Sequence, residues 1–477
     1  MTDSMSDEET GATLVDQLGE LAAHTRLEDL PKKVADSVPQ RVMDVLGICV
    51  RSTSLDTSRG VMDFAADQGG RAAATAIGVP ERLPATLAAF VNGTLAHSLD
   101  YDDTHLPSIL HPSASVIPAA LAAAEASGAS GSAIVAAIAA GLEITVRIGM
   151  AGYDVKAGQS VYFEHGQHAT SICGALGSAA AASVLLGGSA ADAANSMAVA
   201  ASMASGIIEA NRTGGTVKRI HCGWAAQSGV TAAQLVRRGL TGAPTALEGR
   251  FGLFESFLRD EWWPDAVTTD LGAVWSVADI FYKPYPANHF THCAIDAALA
   301  LRADGLSAED VAAIRVGVAT PTARTIGEPL KLKQQPDTAY QAQFSGPYCV
   351  AAALLGGGGL GLGLDDFTDA LATDPAYREL MAKITIHGDD ACDAIYPNQF
   401  PAVLEVDTID GRTLRCEMWS NRGGTNWPLT DTELGRKFAD NAHGLLGADS
   451  IGTVIASCRA LAGAPDVAEL MSPLRNI

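Results

Sequence analysis

Apolar residues recur at helical spacing along most of the chain, and the exceptions are confined to one internal stretch. Leu87, Val91, Leu95 and Leu99 repeat every fourth residue behind Pro84, which predicts a helix running into the carboxylates that follow. Residues 114–126, 132–150, 171–186, 190–204 and 223–238 continue the helical pattern, and their alanine content predicts helices packed closely at their backbones. Residues 13–27 and 31–50 also read as helices, the second with a kink or break at Pro39, whereas residues 72–79 read as a short extended segment.

The period changes near Trp275. Residues 312–319 are β-branched at alternate positions and 383–387 make a short strand, while 403–407 and 413–418 flank Asp410-Gly411, a hairpin signal. Helical stretches at 290–302 and 340–355 accompany these strands, and the glycine run 356–359 reads as a flexible loop. After Trp419 the helical pattern returns through Trp427-Pro428-Leu429, with a capping-box start at Thr430-x-x-Glu433. The pattern therefore predicts a mainly α fold: a large all-helical domain from residues 1–274 and 420–477, with a smaller α+β lid domain inserted at 275–419.

Composition narrows the class. A chain of 477 residues has room for two or three domains, and 48% hydrophobic with 18% charged residues describes a soluble globular protein. A formal charge of −22 argues against nucleic acid or an anionic membrane as partner, so an anionic ligand needs a local basic pocket. The eight cysteines are scattered without a Cys-x-x-Cys pair, which favours reduced thiols in a cytoplasm. Residues 1–10 are polar and acidic with no apolar run, so they read as a disordered tail and not a secretory signal. The charge-free run 169–191 is mostly Ala, Gly and Ser, as in a buried helix. No phosphate-cradling glycine motif follows a strand, so no nucleotide cofactor is expected.

Ionisable groups gather in four places. In residues 92–113, Asp100, Asp102, Asp103, Thr104, His105 and His111 follow the predicted helix, with Pro107 and Pro112 holding the segment as loop. They either converge on a small ligand or form a hydrated helix end. Glu164-His165-Gly166-Gln167-His168 precedes an alanine-rich helix, where an anion is favoured and histidine pKa values are easily moved. His165 with His168, and His289 with His292, have the spacing of helical metal ligands. No cysteine or second motif supports a metal there, so acid/base or structural histidine is preferred. Gly214-Gly215-Thr216-Val217-Lys218-Arg219-Ile220-His221 reads as a carboxylate clamp or a charged helix start. Lys283 lies in Tyr282-Lys283-Pro284-Tyr285-Pro286, before a proline-restrained turn.

These clusters, in this order, resemble the MmgE/PrpD family over residues 13–471. The most specific mark is His97-Ser98-Leu99-Asp100-Tyr101-Asp102-Asp103-Thr104-His105 with His111-Pro112-Ser113; Lys218-Arg219-Ile220-His221, Lys283-Pro284-Tyr285-Pro286 and Asn426-Trp427-Pro428-Leu429 agree with it. The resemblance implies a cofactor-free, dimeric lyase acting on a small di- or tricarboxylate, as in cis-aconitate decarboxylation or 2-methylcitrate dehydration, with epimerisation of a dicarboxylate such as iminodisuccinate second. The Trp-containing insertion of the 2-methylcitrate dehydratases between Asp-Thr and His-Pro-Ser is absent, and the Thr104–His111 spacing is one residue longer than in animal decarboxylases.

By resemblance the site falls on Asp100, Thr104, His111, His168, Lys218, Lys283 and Tyr348, beside His221. His111 and His168 are then the acid/base pair and Asp100 fixes a histidine tautomer. Lys218, Lys283 and His221 stabilise carboxylate charge, Thr104 binds substrate, and Tyr348 relays a proton. Two other classes compete: a helical enzyme holding magnesium on Asp100, Asp102 and Asp103, and a non-catalytic binding protein. The first needs an aromatic-lined cavity, against which 6% aromatic content argues.

Overall fold

The computed structural model describes residues 11–210, 215–475 and 477; the acidic tail at 1–10 and Gly214 of the glycine turn lie outside the described residues. The fold is mainly α with a smaller α+β part. The alanine-rich segments form helices Ala85–Ala96, Ser113–Ser127, Gly131–Ala151, Ala169–Leu185, Ala190–Ala201 and His221–Val236. Small side chains let them approach at the backbone. A Cβ on Gly93 would stand 2.8 Å from the Cys222 carbonyl oxygen, and one on Gly223 would run into the Phe90 carbonyl. This crossing carries the loop after Ala96 to the turn before His221.

Gly131–Ala151 is long and apolar enough to cross a membrane, but 89% of its most apolar window is buried in protein. The charge-free run likewise forms the buried helix Ala169–Leu185. The break expected at Pro39 does not occur: Lys32–Ser52 is one helix. Val34, Val38, Val42, Val45, Leu46 and Cys49 bury one side of it in the main core, and that packing outweighs the proline. The helix Ala85–Ala96 stops short of the carboxylates, at His97.

The α+β part is built on a four-stranded sheet in the order Ile384–Gly388, Val311–Val318, Ala402–Thr408, Thr413–Met418. The first pair is parallel, with Val316 opposite Ile386, and the other pairs are antiparallel. Helices His292–Ala303 and Gly346–Leu355 share its core. The helix expected over 340–355 is divided, because Ser345 accepts from the Tyr348 N–H at 3.0 Å and Pro347 starts a new helix behind Ala339–Gln343. The glycine loop is not loose: the Asp366 carboxylate accepts from the N–H groups of Gly357 (3.2 Å), Gly358 (2.8 Å) and Gly363 (2.7 Å).

Val277, Ile280 and Tyr282 still pack in the helical core, whereas Tyr285 belongs to the sheet's core, so Lys283 sits where the chain crosses between them. The Thr430–Glu433 capping box forms and starts helix Asp431–Ala442, which rejoins the helical part. From this helix Lys437 reaches Asp44 at 2.6 Å and lies 3.7 Å over the Tyr101 ring. The C-terminal segment thereby braces the acidic loop from behind.

Candidate active site

The loop after Ala96 is fixed by buried charge. Asp103 pairs with Arg41 at 2.9 Å with both side chains 2% exposed or less, and it accepts from the Ser113 N–H at 3.2 Å. Arg41 also donates to the Val277 and Ile280 carbonyls at 2.8 Å, tying the loop to the segment that leads to Lys283. Thr104 and Phe281 exchange backbone hydrogen bonds of 2.8 Å across the same gap. Asp100 adopts a left-handed φ of 53°, which turns it out of line with its neighbours.

Four imidazoles stand in a rank. His111 lies 5.4 Å from His97, His97 lies 5.4 Å from His168, and His168 lies 4.9 Å from His221, between ring centroids. His111 Nδ1 is 2.7 Å from the Asp103 carbonyl oxygen, which can only accept, so the proton sits on Nδ1 and the Nε2 lone pair is free. Thr104 Oγ1 is 3.4 Å from that Nδ1. His97 Nδ1 donates to Asp102 at 2.7 Å, and its buried Nε2 has no partner among the described residues. His168 and His221 face each other through their Nδ1 atoms at 2.9 Å and share one proton.

Beside the rank, Lys283 Nζ lies 3.2 Å from an Asp100 carboxylate oxygen and donates to the Asp100 carbonyl at 2.8 Å, while Lys218 Nζ lies 3.6 Å from the other carboxylate oxygen. Burial opposes the charged form of Asp100, yet Lys283 and Lys218 outweigh it and hold the carboxyl well below the usual range. Burial also penalises Lys218, but Asp100 raises its pKa overall. Burial, offset in part by Asp102, lowers His111 to about 4; burial and then His97 and Lys218 lower His221 to about 4; burial and then His97 drive His168 lower still. The site therefore combines neutral imidazole bases with fixed cations, a set suited to moving a proton next to a carboxylate.

Of the residues expected from sequence, the structure brings Asp100, Thr104, His111, His168, Lys218, His221 and Lys283 together. It does not bring Tyr348. That hydroxyl donates to the Asp366 carbonyl at 2.6 Å, and the ring stacks on Tyr377 inside the sheet's core. The split at Ser345 turned it inward. Tyr340, on the preceding short helix, is the tyrosine within electrostatic reach of Lys218 and Asp100. Tyr348→Phe is expected to leave turnover within about threefold of wild type, and Tyr340→Phe to reduce it by about tenfold or more. Steady-state kinetics of the two variants checks this, and the reverse order would restore Tyr348 to the site.

Asp100 does not hold a histidine tautomer as expected, because the lysines occupy it; Asp102 and the Asp103 carbonyl do that work. Arg219 also leaves the clamp, donating to Thr57. The three carboxylates proposed for magnesium are each matched by a different cation or imidazole: Asp100 by lysines, Asp102 by His97, Asp103 by Arg41. His165 turns from His168 toward the Phe257 carbonyl, 2.8 Å away. The sequence offered no role for His97 and only the magnesium one for Asp102, since a five-residue spacing bent through a loop has no periodic signature.

Two family domains match the chain, the MmgE/PrpD N-terminal domain over residues 16–265 and the MmgE/PrpD C-terminal domain over residues 285–460. The chain belongs to the MmgE/PrpD family. It is 29% identical over 453 residues to cis-aconitate decarboxylase of Mus musculus, covering 91% of this chain and 88% of that one. Identity to the enzyme of the same name from Homo sapiens is 28% over 466 residues, covering 94% and 91%. A cis-aconitate decarboxylase-like protein of Aspergillus oryzae is 26% identical over 498 residues, covering 99% and 98%. The chain is a lyase, a decarboxylase or dehydratase.

Proposed function

We propose that the protein decarboxylates cis-aconitate or a close tricarboxylate analogue without a metal or organic cofactor. The observation that carries this reading is the pair Lys218 and Lys283 on Asp100, beside imidazoles with free nitrogens. Loss of CO2 from the methylene arm of cis-aconitate breaks the bond between that carbon and its carboxylate. The released pair forms a new double bond to the central carbon, and the old double bond shifts its pair to the CH carbon beside the remaining carboxylate. That carbon then takes a proton, giving an unsaturated dicarboxylate. Negative charge builds on the carboxylate oxygens there, which Lys218, Lys283 and His221 would stabilise, and the proton comes from the His111–His97–His168 rank.

The same reading takes the α+β part at 275–419 as a lid, the compartment as cytoplasm and the working unit as a homodimer; Ile207, Trp224 and Phe251, exposed apolar side chains of the helical part, support an interface. Dehydration of 2-methylcitrate and epimerisation of iminodisuccinate use the same proton step and are the alternatives. EDTA-treated protein incubated in D2O with each of the three compounds, read by NMR, is expected to yield CO2 and a dicarboxylate carrying one deuteron from cis-aconitate only. Water loss from 2-methylcitrate, or activity abolished by chelation and restored by a divalent metal, would overturn the reading.

A further inference from the structure

His289 is buried to 4% exposure, and neither ring nitrogen has a hydrogen-bond partner among the described residues. Between ring centroids, Phe281 and Phe400 stand 5.9 and 5.7 Å away in T-shaped contact and His292 4.5 Å away, so its walls are aromatic. Its neighbour His292 at least places Nε2 on the Ala287 carbonyl at 3.1 Å. A neutral imidazole carries one N–H donor and one acceptor, and a buried pair left unmatched is rare enough to need a reason.

The position supplies one. Phe281, which walls the ring, is the residue whose backbone pairs with Thr104. Asn288, just before His289, donates its N–H to the Gln343 carbonyl at 2.8 Å, and Gln343 Nε2 donates to the carbonyl of Leu99, the residue before Asp100, at 3.2 Å. Lys283, His111 and Asp100 all lie within electrostatic reach of the ring. Burial, His292 and Lys283 together push its pKa well down, so it is a neutral donor beside the lysines and imidazoles of the site.

We propose that His289 is a specificity residue: its N–H binds the carboxylate on the methylene arm of a tricarboxylate, the arm that departs as CO2 and that maleate lacks. The inference rests on the polycarboxylate reading of the pocket. A third carboxylate would satisfy the orphaned donor, and a dicarboxylate would leave it empty.

Two variants and two probes test this. His289→Phe keeps an aromatic ring among aromatic walls and removes both unmatched nitrogens, so its unliganded melting temperature is expected to equal or exceed that of wild type. The rise in melting temperature caused by cis-aconitate should vanish, and kcat/KM should fall by about 10- to 100-fold, mostly in KM. His289→Gln, which keeps an N–H, should recover part of both. Maleate, lacking the third arm, should stabilise wild type and His289→Phe equally. The proposal is overturned if His289→Phe binds cis-aconitate like wild type, or if His289→Gln and His289→Phe lose unliganded stability and binding in parallel. Wild type that is stabilised by cis-aconitate through His289 but releases no CO2 would overturn the decarboxylase reading and leave this one standing.

Discussion

Alanine at His111 is expected to lower turnover by about two to four orders of magnitude, the usual cost of losing a general acid or base, with a melting temperature close to wild type. His111 supports little of the fold: its ring meets the Asp103 carbonyl and, more loosely, Thr104 Oγ1, while Arg41 and Ser113 hold Asp103 independently. His168→Ala should cost as much in rate and more in stability, because it strips the side-chain partner from the buried Nδ1 of His221, worth about 1–3 kcal/mol. Lys218→Ala should raise KM as well as lower kcat. In wild type the rank must deliver a proton to carbon, so its protonated form is the active one. Burial lowers His111 from 6.5 to about 4, so the rate should rise as pH falls through 6 toward 4. Stability runs the opposite way. The unfolded chain binds protons to these histidines below 6.5 and the folded chain only near 4, so stability present above 6.5 is lost as pH falls through that window. If His111→Ala and His168→Ala both keep most of the wild-type rate, the proton passes instead through His97 or Tyr340.

Period and punctuation carried most of the fold. Alternation at 312–319, the Asp410-Gly411 turn and the Thr430–Glu433 box each correspond to an element found within a residue or two, because local backbone preference and burial agree there. Whether Pro39 breaks its helix, and how firmly the glycine loop is held, depend on distant groups, a core face in one case and Asp366 in the other. In the site, spacing could gather the histidines and lysines but not pair them. Which aspartate meets a lysine and which an imidazole is decided by the left-handed turn at Asp100 and by Arg41, 62 residues before Asp103. Tyr348 shows the limit of carrying a residue type across a resemblance: in this chain its hydroxyl is spent on the Asp366 carbonyl inside the sheet's core.

Asparagine at Asp100 is expected to destabilise the protein by about 3–5 kcal/mol, the scale for removing one member of a buried ion pair. The backbone isolates the charge effect, since asparagine tolerates the φ of 53° that alanine would strain against. Lys283 is 1% exposed and would be left with the Asp100 carbonyl alone, whereas Lys218, at 17%, can still reach water. The double variant Asp100→Asn/Lys283→Met removes the stranded cation together with its partner and should recover most of the lost stability, as replacing a whole buried pair commonly does. Activity should not return with it, because Lys283 is also one of the two cations that receive the developing carboxylate charge. Denaturant unfolding and steady-state turnover of the same samples separate the two roles. Wild-type stability in Asp100→Asn would mean that the lysines are solvated and do not depend on Asp100. A double variant that turns over like wild type would remove Lys283 from the chemistry and leave Lys218 and His221 to carry the charge.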